Sequence, residues 1–231
     1  MLNTNNEDIT MEDISRVTRF VDTFSTVSLH PAIVGSLVSA IAKQVNQHHH
    51  TKTCRKYKTI CRFKFPKLPS YKTLITRPIS KSLSDEESSF LKKKYEKIIK
   101  KVKEALEDKD LVNLILVKHP KDSEITVQEA VEGRKKRIDA LLESAGFVTR
   151  EDKEEYQKAL EFSSSGCKIV MARDIDEIWV NSYNPEITRA WNGNTDFQVV
   201  INYFAIINYI AEYYSKDDTG MFISFQTKYF Y

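Results

Sequence analysis

Tyr209, Tyr213 and Lys216 stand at i, i+4 and i+7 in the stretch INYFAIINYIAEYYSK, residues 201–216. On a helix this spacing lines two phenols and an ammonium along one face. A phenolate can attack phosphorus and hold a DNA strand as a phosphotyrosine ester, while a lysine steadies the developing charge. A phenol with its ordinary pKa of roughly 10 is a poor nucleophile, so this chemistry requires a base or a metal ion. The competing reading is packing: an amphipathic helix whose tyrosines cap a core and whose lysine is solvated.

His48, His50, Cys54 and Cys61 form a second set, with the spacing H-x-H-x3-C-x6-C. Two imidazoles and two thiolates are the right number and type for tetrahedral zinc. The loop around them holds few apolar residues and needs such a staple to stay folded. The spacing differs from the common zinc-finger spacings, and a solvated basic loop with inert cysteines is the alternative. A third reading is the His-hydrophobe-His pair with which rolling-circle nucleases hold a divalent ion. Here the residue between the outer histidines is polar, and Asn46 and Gln47 are poor strand formers. Zinc suits the set better.

Charge distribution adds to this. The 231 residues carry a net charge of only +3, with 41% hydrophobic and 29% charged residues. Between Asp22 and Asp85, however, the chain has no acidic residue, while Lys43, Lys52, Arg55, Lys56, Lys58, Arg62, Lys64, Lys67, Lys72, Arg77 and Lys81 fill the gap. A basic block of that size is a nucleic-acid footprint hidden by a near-neutral total. No window has the length and apolarity of a membrane span, and the N-terminus lacks the pattern of a secretory signal. Three cysteines in such a chain argue for metal or free thiols over a disulfide framework, hence for an intracellular protein, nuclear in a eukaryotic host.

The elements that must position these residues are mostly helical, and only six glycines interrupt the chain. After a lead-in of eleven residues that reads as disordered, a helix is expected over 12–24, with Ile14, Val17, Phe20 and Val21 at helical spacing. A second runs from Pro31 to about Val45. Residues 67–84 read as an extended, proline-punctuated connector. Ser84-Asp85-Glu86-Glu87 and Thr126-Val127-Gln128-Glu129 read as capping boxes opening two further helices, the second stopped by Gly146. Leu111–Val117 suits a short helix or strand, and 150–162 another helix. Residues 85–162 read as scaffold, although their lysine runs at 92–94 and 100–103 offer phosphate contacts. Lys168–Arg173 and Glu177–Asn181 read as a hairpin turned by Asp174-Ile175-Asp176, with another strand at 195–200. The expected fold is therefore α+β: helix-rich N-terminal and middle parts, a Cys/His zinc-binding loop, and a small antiparallel sheet packed on the tyrosine-bearing helix. Three segments follow, 1–83, 84–162 and 163–231, forming one compact unit.

Two blocks of residues resemble a known family. The first is Val21-Asp22-Thr23-Phe24 with Ser28-Leu29, then His48-x-His50-Thr51-Lys52-Thr53-Cys54-Arg55-Lys56 and Cys61-Arg62-Phe63-x-Phe65-Pro66-x-x-Pro69-Ser70, with Thr73-Leu74-Ile75. The second is Trp179-Val180-Asn181-x-Tyr183-Asn184-Pro185, Arg189-Ala190-Trp191-Asn192-x-Asn194-x-Asp196-x-Gln198 and Tyr209-x3-Tyr213-x-x-Lys216. Together they look like the replication-initiator region of Helitron-type rolling-circle transposases, which lies upstream of a Pif-family helicase in one long polypeptide. The blocks cover about a third of the chain in the family's order; 84–162 has no clear counterpart.

The resemblance implies that Tyr209 and Tyr213 are the paired nucleophiles, Lys216 the lysine that follows them, and His48, His50, Cys54 and Cys61 the Cys/His cluster. It implies structural Zn2+, with Mg2+ or Mn2+ for a nuclease, and single-stranded DNA as partner. The departures are specific: the family's His-hydrophobe-His motif is not found, and no G-x-x-x-x-G-K-[ST] loop is present to support ATPase or helicase activity. The chain reads as a fragment or truncated descendant. Two functions follow as expectations. One is a tyrosine-dependent DNA endonuclease and strand transferase. The other is an inactive, zinc-stabilised module that binds nucleic acid through Lys52, Arg55, Lys56, Lys58, Arg62 and Lys64, with Tyr183 and Trp191 stacking bases.

Overall fold

The computed structural model describes residues 10–50, 54–56, 60, 61, 63–80, 82–122, 124–162 and 167–195, with 197, 199, 207, 210 and 211 beyond; at 55, 56 and 60 the backbone alone is described. The fold is mixed and helix-rich with small two-stranded antiparallel sheets. Helix α1 spans Met11–Phe24 and α2 Pro31–Val34, followed by α3, Ser36–Val45. A single helix over 31–45 was the expectation. Gly35 breaks it, at φ +81°, a conformation that L side chains resist: its N–H closes α2 on the Pro31 carbonyl, and its carbonyl receives the Ser39 N–H to begin α3.

Strands β1 (Arg55–Lys56) and β2 (Ile60–Cys61) pair antiparallel, Arg55 opposite Cys61. The long helix α4, Asp85–Glu107, opens on the Ser84/Glu87 capping box, and α6, Val127–Ser144, on the Thr126/Glu129 box. Thr10 and Thr149 cap α1 and α7 (Arg150–Glu161) in the same reciprocal way, with Asp in the third helical position. Lys109–Lys118 is helical, α5, which resolves the helix-or-strand ambiguity there. Gly146 follows α6 at φ +87°. The last helix with a defined span, α8, is Pro185–Trp191.

The segment 67–84 is no mere connector. Its β3, Leu74–Ile75, is buried and pairs with β4, Ile169–Val170, Leu74 opposite Val170. Nor do 168–173 and 177–181 form a hairpin. The first pairs with 70–76, extended by Thr76 N–H to the Lys168 carbonyl and a Ser70–Arg173 bridge. The second is no strand but a turn, Val180 N–H to the Glu177 carbonyl, that meets 46–48 at an isolated antiparallel bridge, through His48 N–H to the Trp179 carbonyl and Asn181 N–H to the Asn46 carbonyl. Between them Asp174–Glu177 is a tight turn whose side chains bind its own amides, Asp174 Oδ1 accepting from Ile175 N–H and Glu177 Oε2 from Asp174 N–H. Both segments thus pair with the N-terminal third of the chain. At 195–200 the described residues 195, 197 and 199 are irregular.

One core gathers Leu74, Ile98, Val102, Leu106, Ile115, Ile138, Leu141, Leu142, Tyr156, Leu160, Ile175 and Ile178, drawn from all three segments of the chain. A smaller one, Val27, Leu29, Val38, Ala42, Val180 and Tyr183, lies where α3 packs on α8. No helix among the described residues is long and apolar enough to cross a membrane.

Candidate metal centre

Three separate stretches bring the Cys/His set together. His48 sits at the end of the extended segment that follows α3, locked to the Trp179 carbonyl by its own N–H at 2.7 Å. Cys54 immediately precedes β1 and Cys61 ends β2, both buried. Beyond Cys61 the chain turns back: Lys64, at φ +58°, donates its N–H to the Cys61 carbonyl. Lys67 N–H then ties this return to the Ile178 carbonyl.

The donor atoms converge. His48 Nε2 lies 3.4 Å from Cys61 Sγ, His50 Nδ1 lies 3.4 Å from Cys54 Sγ, and one ligand atom from each of the four falls within 4.8 Å of the others. Zinc with Zn–S about 2.3 Å and Zn–N about 2.05 Å sets tetrahedral edges of roughly 3.3–3.8 Å. The cluster fits that ion with a contraction of at most about 1.5 Å along its longest edge. Four protein donors close the shell, which is the arrangement of a structural site.

An aromatic shell holds the imidazoles. The His48 ring stacks on Phe65 at 4.4 Å and meets Phe63 edge-on at 5.5 Å; His50 meets Trp179 edge-on at 5.2 Å, and Phe65 stacks on Trp179 at 6.2 Å. Burial, then the neighbouring His50, His49 and Lys67, holds the His48 pKa below the ordinary imidazole value, which favours the neutral, ligating form. Lys67 lies over the Phe65 ring at 5.0 Å and donates to the Phe63 carbonyl. Among the residues expected to bind nucleic acid, Lys64 is exposed at this edge, beside Phe63, which is 48% exposed. Phe63 and Phe65 were legible only as spaced aromatics beside Cys61, and neither stood among the expected site residues.

Tyr183 is a correction. Expected to stack bases, it is fully buried in the smaller core, with its hydroxyl donating to the Ser28 carbonyl. The strand-like segment that carries it pairs with Thr26 on both sides and turns the ring inward. Trp191 ends α8 with 72% of its surface exposed. Lys52, Lys58 and Arg62 lie outside the described residues, as do Tyr209, Tyr213 and Lys216; of Arg55 and Lys56 the backbone alone is described. Ile207, Ile210 and Ala211, between and beside the tyrosine positions, are helical and exposed.

A second cluster of metal-type donors was not anticipated. Asp174, Asp176 and Glu177 bring one carboxylate oxygen each within 4.8 Å of the others. Lys121 Nζ already stands among them, at 2.6 Å from Asp176, 3.2 Å from Glu177 and 3.3 Å from Asp174. Arg137, fully buried, forks onto Asp174 at 2.7–3.2 Å and also donates to the His119 carbonyl. Burial alone would discharge Lys121, but Glu177, Asp174 and Asp176 lift its pKa above the ordinary lysine value. Burial likewise opposes ionisation of Asp174, yet Lys121 and Arg137 hold its pKa below the usual value. Glu177 further accepts from the Leu29 N–H and the Ser28 hydroxyl. With the cation's place filled by an ammonium, this set does not fit Mg2+ or Mn2+.

No protein-family model matches the chain, and neither a curated protein nor a solved structure is significantly similar to it.

Proposed function

We propose that this chain is the initiator region of a Helitron-like rolling-circle protein, a zinc-stapled unit that grips single-stranded DNA. The observation that carries the reading is the convergence of His48, His50, Cys54 and Cys61 inside a stretch of chain free of acidic residues. Zinc, when bound there, supplies folding energy and a fixed hairpin, not an open coordination position. Lys64 is exposed beside the half-exposed Phe63, and the basic block of the sequence adds Arg55 and Lys56 in β1. This is a pairing of cations with a stacking ring that suits a flexible, sequence-tolerant strand. Trp191 offers a second exposed ring.

In this reading Tyr209 or Tyr213 forms the covalent link. The phenol oxygen bonds to phosphorus as the P–O3′ bond breaks, the phenolic proton leaves to a base, and the released 3′ oxygen takes up a proton. The product is a 5′-phosphotyrosine ester with no net hydrolysis. Incubating the protein with a labelled single strand in Mg2+ or Mn2+ and resolving covalent adducts tests this. An adduct lost in Tyr209→Phe or Tyr213→Phe is expected; none under any condition removes the enzyme. The second reading, an inactive binding module, is favoured by Lys121 Nζ standing where a cation would sit among Asp174, Asp176 and Glu177. It expects steeply salt-dependent binding without an adduct.

A further inference from the structure

We propose that the outward face of α4 is a second nucleic-acid contact surface, holding the sugar-phosphate backbone of single-stranded DNA independently of the metal centre. Residues 92–103, KKKYEKIIKKVK, contain seven lysines and one acid, Glu96. The apolar residues of the stretch, Tyr95, Ile98, Ile99 and Val102, turn into the main core. All seven lysines are therefore left on the exposed arc.

A helix surface that is merely solvated interleaves opposite charges at i, i+3 and i+4, because such pairs stabilise it and like pairs do the reverse. Helix α7 does this: its twelve residues carry three cations and five acids, with Arg150 on Glu154 and Lys158 on Glu155. On α4 the pairs Lys93–Lys97, Lys97–Lys100, Lys97–Lys101 and Lys100–Lys103 are all like-charged. Lys94 is held by Glu155, Lys100 loosely by Glu104, and Lys101 lies over the Phe147 ring. Lys92, Lys93, Lys97 and Lys103 have no hydrogen-bond or ion-pair partner among the described residues. Self-repulsion along a straight rod some 16 Å long is relieved by a polyanion, and a phosphodiester backbone offers regularly spaced charges with no demand for side-chain readout. That the polyanion is DNA rests on the function proposed above; the face itself does not.

The test is a salt titration of binding to a labelled oligo-dT strand by fluorescence anisotropy. The proteins compared are wild type, the quadruple variant K92Q/K93Q/K97Q/K103Q, and each of these with C54S/C61S. If the four lysines each meet a phosphate, the slope of log K against log salt falls by about 3, from roughly 0.7 per contact on single strands. Affinity at about 0.1 M salt then drops at least tenfold. The same drop is expected in the C54S/C61S background. Circular dichroism and melting of the quadruple variant should match or exceed wild type, since like-charge pairs are removed. An unchanged slope overturns the inference while leaving the metal-centre reading intact. Conversely, a lysine-dependent slope that survives loss of zinc, with no covalent adduct, keeps this face and removes the enzyme. Displacement of oligo-dT by poly-glutamate of equal charge at equal concentration overturns the nucleic-acid assignment in favour of an acidic polypeptide.

Discussion

The chain gathers metal-type donors twice, and the two clusters have opposite fates. At His48, His50, Cys54 and Cys61 the donors are imidazole nitrogens and cysteine sulfurs, close to one another. At Asp174, Asp176 and Glu177 the donors are carboxylates wrapped on a lysine and neighboured by a buried arginine. Proximity of ligand atoms makes a cation site only where the protein has not already supplied the positive charge. A metal bound at the first cluster would staple a stretch of sequence with few apolar residues. The second joins the turn before α2, the segment after α5, helix α6 and the 174–177 turn, which are far apart in sequence, and it sits beside the main core.

The largest expected effect is at the first cluster. Chelation, or Cys54→Ser with Cys61→Ser, removes about 10–16 kcal/mol of apparent metal-binding energy from the hairpin, by analogy with small zinc modules. We expect one zinc per chain by elemental analysis, lost in the double variant. Limited proteolysis should then open within residues 51–62 while the helical core stays resistant. A folded, protease-resistant hairpin with no metal would break the comparison.

At the second cluster the corresponding lesion is Arg137→Met, which leaves Asp174 with Lys121 alone. Removing one partner of a buried pair costs about 3–5 kcal/mol. Urea denaturation should show that loss with zinc stoichiometry unchanged, because no residue of the cluster ligates zinc. A loss of zinc in Arg137→Met would show that the two clusters fold as one unit.

A smaller effect separates ligand from shell. Phe65→Leu keeps the apolar volume near His48 but removes the stacked ring 4.4 Å away. The aromatic contact is worth about 1 kcal/mol, so metal binding should weaken by about fivefold. Competition with a chromophoric chelator reads the change, and an unaltered affinity would reduce the shell to packing.

The first cluster was legible from the sequence because its information is local: four ligands within fourteen residues, in types that few other roles require. The caps of α4 and α6 were legible for the same reason, each being written in four consecutive residues. What escaped was non-local. Asp174-Ile175-Asp176 looks like a hairpin turn, and nothing nearby says that Lys121 and Arg137 will arrive to neutralise it. The strand expected at 168–173 is present as β4, whereas 177–181 holds a turn, Val180 N–H to the Glu177 carbonyl, and a single bridge at Val180; the partners, 70–76 and 46–48, are more than ninety residues away. Tyr183 failed as a base-stacking residue by the same logic, since its inward orientation is fixed by pairing with Thr26.

His30 links the second cluster to pH. Its ring is buried at the N-cap of α2, where Nδ1 accepts the Ala32 N–H and Nε2 has no hydrogen-bond partner among the described residues. Burial first, then the charges of Lys121 and Arg137, pushes its pKa below the ordinary 6.5, with Glu177 and Asp174 opposing. The unfolded chain takes up the proton near that ordinary value, the folded protein only at lower pH. The stability His30 contributes is therefore complete above about 6.5 and is lost as the pH falls below it. His30→Asn keeps a capping acceptor but cannot titrate. The difference in stability between wild type and the variant, measured by urea denaturation from pH 8 to pH 5, should shift against wild type as the solution is acidified. His48, also held below its ordinary pKa, is common to both proteins and cancels in that difference. A difference flat across the range would mean that the imidazole takes its proton as readily inside the fold as in water, and that the cations of the second cluster do not reach it.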